Sequence, residues 1–224
     1  MPKKIGYIII AMVVILVVVT AVAFVVFQPK PVDIQYTVGV KSGDTFTYSV
    51  KGFAEQYDSN EIIPASFYDL NRTDYVKVTI TNVAGPNVTF STLTRYINGT
   101  QHEYTETLNV IVGNETASFW GIFASNLKQG DLVRALKTDG GAFNSTETRT
   151  YASGDRETNR QTWNKEYYNA EDTTQQLYRN RYVYVDQATG MMVELKNIDI
   201  YTSPQIMETI EWHLIDSNVF TVSS

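Results

Sequence analysis

His102 and His213 are the only histidines in the chain, and each has a carboxylate close by, Glu103 for the first and Glu211 for the second. A zinc site needs three or four such groups converging from neighbouring elements, and a hydroxyl nucleophile needs a base within hydrogen-bond reach. His102-Glu103 lacks the His-Glu-x-x-His spacing that would place two imidazoles on one helix face. Both histidines also stand in strand-like alternation, so they read as surface residues of strands. The chain has no Gly-x-Ser-x-Gly elbow, no Gly-rich phosphate loop and no cysteine. Paired carboxylates could support glycoside hydrolysis, yet Glu166, Glu171 and Asp172 sit in a polar stretch that reads as a solvated loop. Asp186, Asp199 and Asp216 read as turn or strand-end residues. The expectation is a non-enzymatic chain with no catalytic residue, no metal and no cofactor.

The densest motif is Asn-x-Ser/Thr, which occurs at Asn71, Asn87, Asn98, Asn114 and Asn144. A glycan is bulky and hydrophilic, so an acceptor must sit at the surface, usually on a loop. Asn98 and Asn114 fall in predicted turns and Asn87 begins a predicted strand. All five are candidate N-glycosylation sites in an exported domain.

The elements that must position these residues are strands. Val76, Val78 and Ile80 alternate with Lys77, Thr79 and Thr81. Tyr104, Leu108, Val110 and Val112 oppose Glu103, Thr105, Thr107 and Asn109, and Ile206, Ile210, Trp212 and Leu214 oppose Thr209, Glu211 and His213. Turn signals separate the runs. Asn98-Gly99 is the strongest, because both residues tolerate the positive φ of a two-residue hairpin. The fold class expected is mainly β: an antiparallel meander curled into a half-barrel or barrel, with at most one short helix.

Val193 and Leu195 lie on odd positions but Ile198 and Ile200 on even ones, which predicts a bulge near Lys196-Asn197 or burial of both faces. Ser118 to Leu127 is a dense apolar cluster without period two, either a short helix or a tight apolar loop. Glu61 to Asn71 is a second irregular stretch. Tyr167, Tyr168, Tyr178, Tyr182, Tyr184 and Tyr201 crowd the C-terminal third with Trp163 and Trp212. Tyr182 and Tyr184 share one strand face and Val183 and Val185 the other. One face therefore packs on the core, while the other meets a ligand, a partner or a covering element; cross-strand tyrosine pairing explains the same pattern.

These strands follow an apolar run, Ile5 to Gln28, that carries no charge. As a helix it would be ~36 Å long at ~1.5 Å per residue, enough to cross a hydrocarbon core. Lys3 and Lys4 precede it, so the positive-inside rule keeps the N-terminus in the cytoplasm and sends the rest outside. Ala21-Val22-Ala23 has the small-x-small form of a signal-peptidase site, but the core is long for a signal peptide and continues through Phe24 to Phe27. The run therefore reads as an uncleaved anchor: residues 1–28 a cytoplasmic stub and transmembrane segment, 29–34 a linker, 35–224 an extracytoplasmic β domain. The expected location is the cell membrane, as a single-pass protein with the bulk of the chain outside the cell.

The formal net charge is −6, and the part after the anchor, without Lys3 and Lys4, is more acidic still. Nucleic acid and anionic membrane surfaces attract the opposite balance, so neither is expected as a partner of the domain. With no cysteine, the exported fold depends on its core.

The anchor, the opening Val40-Lys41-Ser42-Gly43-Asp44-Thr45-Phe46-Thr47-Tyr48 and the hairpin from Tyr184 to Glu194 resemble uncharacterised archaeal membrane-anchored extracellular proteins. The ending Trp212 to Asn218 fits the same pattern. The Asp186-Gln187-Ala188-Thr189-Gly190 hairpin is also similar, more distantly, to one in the LolA-like and LppX-like lipoprotein-carrier superfamily. That likeness implies a half-barrel holding an acyl chain. Phe119, Trp120, Ile122 and Phe123 would be its plug, and Tyr182 and Tyr184 part of its ligand-facing wall. The function expected is a membrane-anchored binding domain for a hydrophobic or lipid-like ligand or a surface partner. The alternatives are a structural or adhesive surface component and a pilin-like subunit processed after Gly6, for which Ile5 stands where a basic residue is normal.

Overall fold

A computed structural model describes residues 36–56, 65–113, 117–137, 140–168, 176–202 and 205–222. The apolar run and Asn114 lie outside the described residues, and among those described no helix is long and apolar enough to cross a membrane.

The chain is mainly β. Nine strands, β1 (Thr45–Gln56), β2 (Thr73–Ala84), β3 (Asn87–Tyr96), β4 (Gln101–Asn109), β5 (Ser145–Tyr151), β6 (Gly154–Tyr168), β7 (Gln176–Asp186), β8 (Met192–Thr202) and β9 (Gln205–Ser217), form one antiparallel sheet. The order is β4-β3-β2-β1-β9-β8-β7-β6-β5. Two meanders, β1 to β4 and β5 to β9, are thus fused where β9 pairs with β1. Short turns join β2 to β3, β3 to β4, β5 to β6 and β7 to β8 as the sequence predicts, with Gly99 at φ 84° closing the β3–β4 hairpin. The ladder does not join β4 to β5, so among the described residues the sheet is open and not a closed barrel.

That order imposes one long connection. The chain leaves β4 at one edge and must enter β5 at the other, about 38 Å away if the sheet were flat and its strands ~4.8 Å apart. The described residues between β4 and β5, 110–113, 117–137 and 140–144, lie along this crossing over the inner face. Glu106 on β4 accepts from Ser118 N at 2.7 Å. Phe123 N donates to Gly190 O and Met192 N to Gly121 O, each at 2.8 Å, and Ile122 forms an isolated bridge with Met191. At the far end, Asn159 on β6 donates to Leu127 O. Ser118 to Leu127 is therefore an apolar loop stitched to the sheet, not a helix.

Alternation fixes what it covers. Phe46, Tyr48 and Val50 of β1 share the inner face with Val76, Val78 and Ile80 of β2, Val88 and Phe90 of β3, and Leu108 of β4, all buried. Val183, Leu195 and Leu214 continue it across β7 to β9. Phe119 fills the centre, with ring centroids 5.3 Å from Tyr48, 6.3 Å from Phe90 and 6.0 Å from Trp212.

The bulge expected at Lys196-Asn197 is elsewhere. β8 pairs with β9 without interruption from Glu194 to Thr202, and the slip falls where Val185 of β7 meets Met192. Ile198 and Ile200 accordingly face outward, and Asn197 and Asp199 are buried on the inner face. Ile198 and Ile200 are only half-buried, so the broken alternation records a change from apolar to polar on the inner face.

The single helix among the described residues, α1 (Ala65–Asn71), packs on β1. β2 pairs with β1 only as far as Tyr48, which leaves Gly52 without a strand on that side. Asn71 replaces it: Gly52 N donates to Asn71 Oδ1 at 2.9 Å, and Asn71 Nδ2 donates to Gly52 O at 2.7 Å. Replacing Asn71 with alanine leaves both backbone groups unpaired and should cost about 1–3 kcal/mol. Urea unfolding checks this, and Asn71→Asp should recover only part of the loss because it cannot donate.

Candidate functional site

The inner face changes character along β6 to β9. In Trp163-Asn164-Lys165-Glu166-Tyr167 and Arg179-Asn180-Arg181, period two places Trp163, Lys165, Tyr167, Arg179 and Arg181 together, Lys165 opposite Arg179 and Trp163 opposite Arg181. Between this wall and the crossing segment lies a cavity of about 580 Å³. Among the described residues, five basic side chains line it, Arg134, Lys137, Lys165, Arg179 and Arg181, and no carboxylate does. Trp120, Phe123, Trp163 and Tyr167 supply aromatic surface.

Cation–ring pairs order this lining. Arg181 Cζ lies 5.1 Å from the Trp120 centroid and 5.5 Å from that of Trp163. Lys165 Nζ is 5.0 Å from the Tyr167 centroid and 5.7 Å from that of Trp163. Such pairs hold long cationic side chains in defined directions and contribute about 0.5–1 kcal/mol each where exposed. Arg181 Nε also donates to Asn197 Oδ1 at 3.3 Å.

Arg134 sits deepest, 7% exposed. It donates to the backbone carbonyls of Val110, Ile122 and Trp120 at 3.2, 2.5 and 2.9 Å, and its guanidinium lies 4.2 Å from the Phe123 ring centroid. Burial lowers its pKa from the ordinary arginine range to about 10. It remains charged near neutrality, and among the described residues no carboxylate pairs with it.

Behind the wall, Arg179 donates to both oxygens of Asp199 at 2.7 and 2.6 Å, and Asn197 Nδ2 donates to Asp199 at 3.0 Å. Asp199 is thus a buried counter-ion in mid-strand and not the strand-end residue its sequence suggests. Glu208 stands beside it. Burial first, and the charge of Asp199 second, hold the Glu208 carboxyl above its ordinary 4.5, with a hydrogen bond to Tyr201 acting the other way. A raised folded-state pKa favours the protonated fold, so this contribution is present below the ordinary value and lost as pH rises through the raised one. Glu208→Gln should therefore raise the melting temperature at pH 7 relative to the parent, with the gain vanishing near pH 4. Thermal melts at the two pH values check the sign.

The sequence candidates fall in three places. Phe119, Ile122 and Phe123 are core residues, 2%, 0% and 2% exposed, and of these only Phe123 touches the cavity, together with Trp120. Tyr182 and Tyr184 lie on the opposite face of β7 from Arg179 and Arg181. There Arg149 covers the Tyr184 ring at 3.7 Å and donates to Glu194 at 2.7 Å. That outer patch is a set of cross-strand pairs remote from the cavity. His102 on β4 contacts Tyr96 at the end of β3, and His213 lies 3.7 Å from Glu211 on the outer face of β9. Among the described residues no three metal-ligating side chains cluster.

Of the asparagines, Asn98 is exposed at its turn, where its Oδ1 accepts from Thr100 N at 2.9 Å. Asn87 is exposed, and its Oδ1 accepts from Asn109. Asn144 is exposed before β5 and accepts from Thr162 N. Asn71 has its amide engaged with Gly52. The residues that line the cavity carried a sequence signal that went unused: basic side chains at alternate positions of a strand, interleaved with aromatics.

Comparison with protein-family models, with curated proteins and with solved structures finds no match to this chain.

Proposed function

We propose that the chain is a membrane-tethered, non-catalytic binding domain displayed outside the cell, and that its ligand enters the cavity between the crossing segment and β6–β7. The cavity carries this reading. It falls within the ~300–1,000 Å³ typical of ligand sites and combines aromatic surface with a few convergent polar groups. The apolar run Ile5 to Gln28 supports the tether. The separation of His102 on β4 from His213 on β9 supports a role without catalysis. A half-barrel arrangement draws support from a crossing segment that is bonded to strands from β4 to β6. The acyl chain of the carrier analogy is the less suitable occupant, because Phe119, Ile122 and Phe143 already fill the apolar part of the inner face.

Native mass spectrometry of the full chain, released gently from its own membranes, tests the reading. The expected result is a non-covalent adduct on the parent that is diminished by Trp163→Ala. A bare polypeptide carrying only covalent sugar in both proteins would contradict it.

A structural or adhesive role is favoured by one observation, the exposed edge strand β4. Its Gln101 to Thr105 run is solvent-facing, and no strand pairs with its outer side among the described residues. Such an edge can template pairing with another chain. Light scattering of the detergent-solubilised protein should show assembly that Thr105→Pro abolishes; a strict monomer ends this version.

A further inference from the structure

Resting on the reading of the domain as displayed outside the cell, we infer that Asn98 receives an N-linked glycan on the folded domain, while Asn71, Asn87 and Asn144 stay bare. All four asparagines stand in the same Asn-x-Ser/Thr motif, so the motif does not separate them. The folded chain does. A transferase must reach the asparagine amide nitrogen and the hydroxyl two residues on, and the acceptor must sit at the surface.

Three of the four motifs are locked. Asn71 commits its whole amide to Gly52, donating at 2.7 Å and accepting at 2.9 Å, and Thr73 Oγ1 donates to Asp69 O. Asn87-Val88-Thr89 opens β3, which has a strand on each side. Val88 is fully buried, and the Thr89 and Thr107 hydroxyls are bonded at 2.9 Å. Asn144 accepts from Thr162 N, and Ser145 pairs with Arg160 in the β5–β6 ladder. Thr146 Oγ1 accepts from Gln129 N at 2.9 Å and donates to Asn159 Oδ1 at 2.7 Å. Presenting any of these three motifs to an enzyme would take apart a ladder or a clamp.

Asn98-Gly99-Thr100 differs on each count. It lies in the β3–β4 turn, beyond the last ladder pair of Arg95 with Gln101, and all three residues are exposed. Its bonds are local to the turn: Asn98 Oδ1 accepts from Thr100 N, Gly99 N donates to Tyr96 O, and Tyr96 N donates to Thr100 O, each at 2.9 Å. Among the described residues no hydrogen bond engages Asn98 Nδ2 or Thr100 Oγ1. Open space surrounds Gly99 between them. Both groups that the transferase reads are therefore free and outward.

The step joins Asn98 Nδ2 to the anomeric carbon of a sugar carried on a polyprenyl phosphate or diphosphate in the membrane. The bond from that carbon to the phosphate oxygen breaks, and the polyprenyl phosphate or diphosphate leaves. The amide nitrogen gives up one proton to a base of the transferase.

The test is glycopeptide mass spectrometry of the full chain taken from its own membranes. Cleavage at basic residues and at glutamate isolates Asn98 on residues 96–103, apart from the other motifs. A glycan mass at Asn98, with unmodified peptides for Asn71, Asn87 and Asn144, is the expected result. Thr100→Ala should remove that mass and Thr100→Ser should keep it. Thr73→Ala, which leaves the Asn71 amide in place, should change nothing, and circular dichroism confirms that each variant is folded. A glycan at Asn71, Asn87 or Asn144 would overturn the inference, because the folded chain would then not be selecting the acceptor. A membrane-impermeant amine reagent on intact cells, read at the exposed Lys41 and Lys51, distinguishes two causes of a bare Asn98. Labelled lysines with a bare Asn98 overturn the inference and leave the displayed domain standing. Unlabelled lysines with a bare Asn98 overturn both.

Discussion

Asp186→Ala should be among the most destabilising single substitutions in the domain, at about 3–5 kcal/mol. The Asp186 carboxylate is fully buried and accepts four hydrogen bonds: Arg156 Nε at 2.7 Å, Arg156 Nη2 at 2.9 Å, Thr189 N at 2.8 Å and Thr189 Oγ1 at 2.7 Å. It holds the turn from Asp186 to Gly190, whose backbone in turn receives Phe123 N of the crossing segment. Removing it strands the Arg156 charge, which lies 4.1 Å from the Phe220 ring centroid. A guanidinium stays protonated near neutrality even without its partner, so the arginine does not escape the loss by neutralising. Denaturant unfolding of Asp186→Ala, and of Asp186→Ala with Arg156→Met, should show the double variant recovering part of the loss. A single variant within about 1 kcal/mol of the parent would contradict this account of the turn.

Phe119→Ala should cost a similar 3–5 kcal/mol, because the ring is enclosed by Tyr48, Phe90 and Trp212 on strands that cannot collapse independently. Its effect should extend beyond stability. The crossing segment has no regular ladder of its own, so losing its central anchor should free residues 117–126 before the sheet unfolds. Hydrogen exchange by mass spectrometry should show that segment exchanging faster while β7 to β9 stay protected. Uniform acceleration across the sheet would instead make the segment an integral part of one cooperative unit.

The sheet was legible because each meander strand alternates and each turn carries its own chemistry. Val76, Val78 and Ile80, and the Asn98-Gly99 turn, are local signals that the fold obeys. The pairing of β1 with β9 was not legible, since no local pattern says which strands of two meanders will meet. From that pairing follow the distant edges β4 and β5 and the long crossing between them. This is why Phe119 and Ile122, dense and apolar, could be placed in a plug but not assigned to the core. Alternation read as hydrophobic-in also misplaced the charge. Lys165, Arg179 and Arg181 share a face with Leu177 and Val183, and the Ile198-Ile200 shift, which in sequence fits either a bulge or burial of both faces, marks the polar end of the inner face. Arg134 lies on an irregular loop, where spacing carries no directional information.

Hydroxyl-radical footprinting of the protein in its own membranes, before and after extraction into high-salt detergent, tests most directly which face of the sheet meets a ligand. The account predicts that Trp120, Trp163 and Tyr167 gain modification once the membrane-bound state is dispersed, while Tyr182 and Tyr184 are unchanged. Gain at Tyr182 and Tyr184 with no change at the two tryptophans would contradict it, and would move the ligand to the outer face.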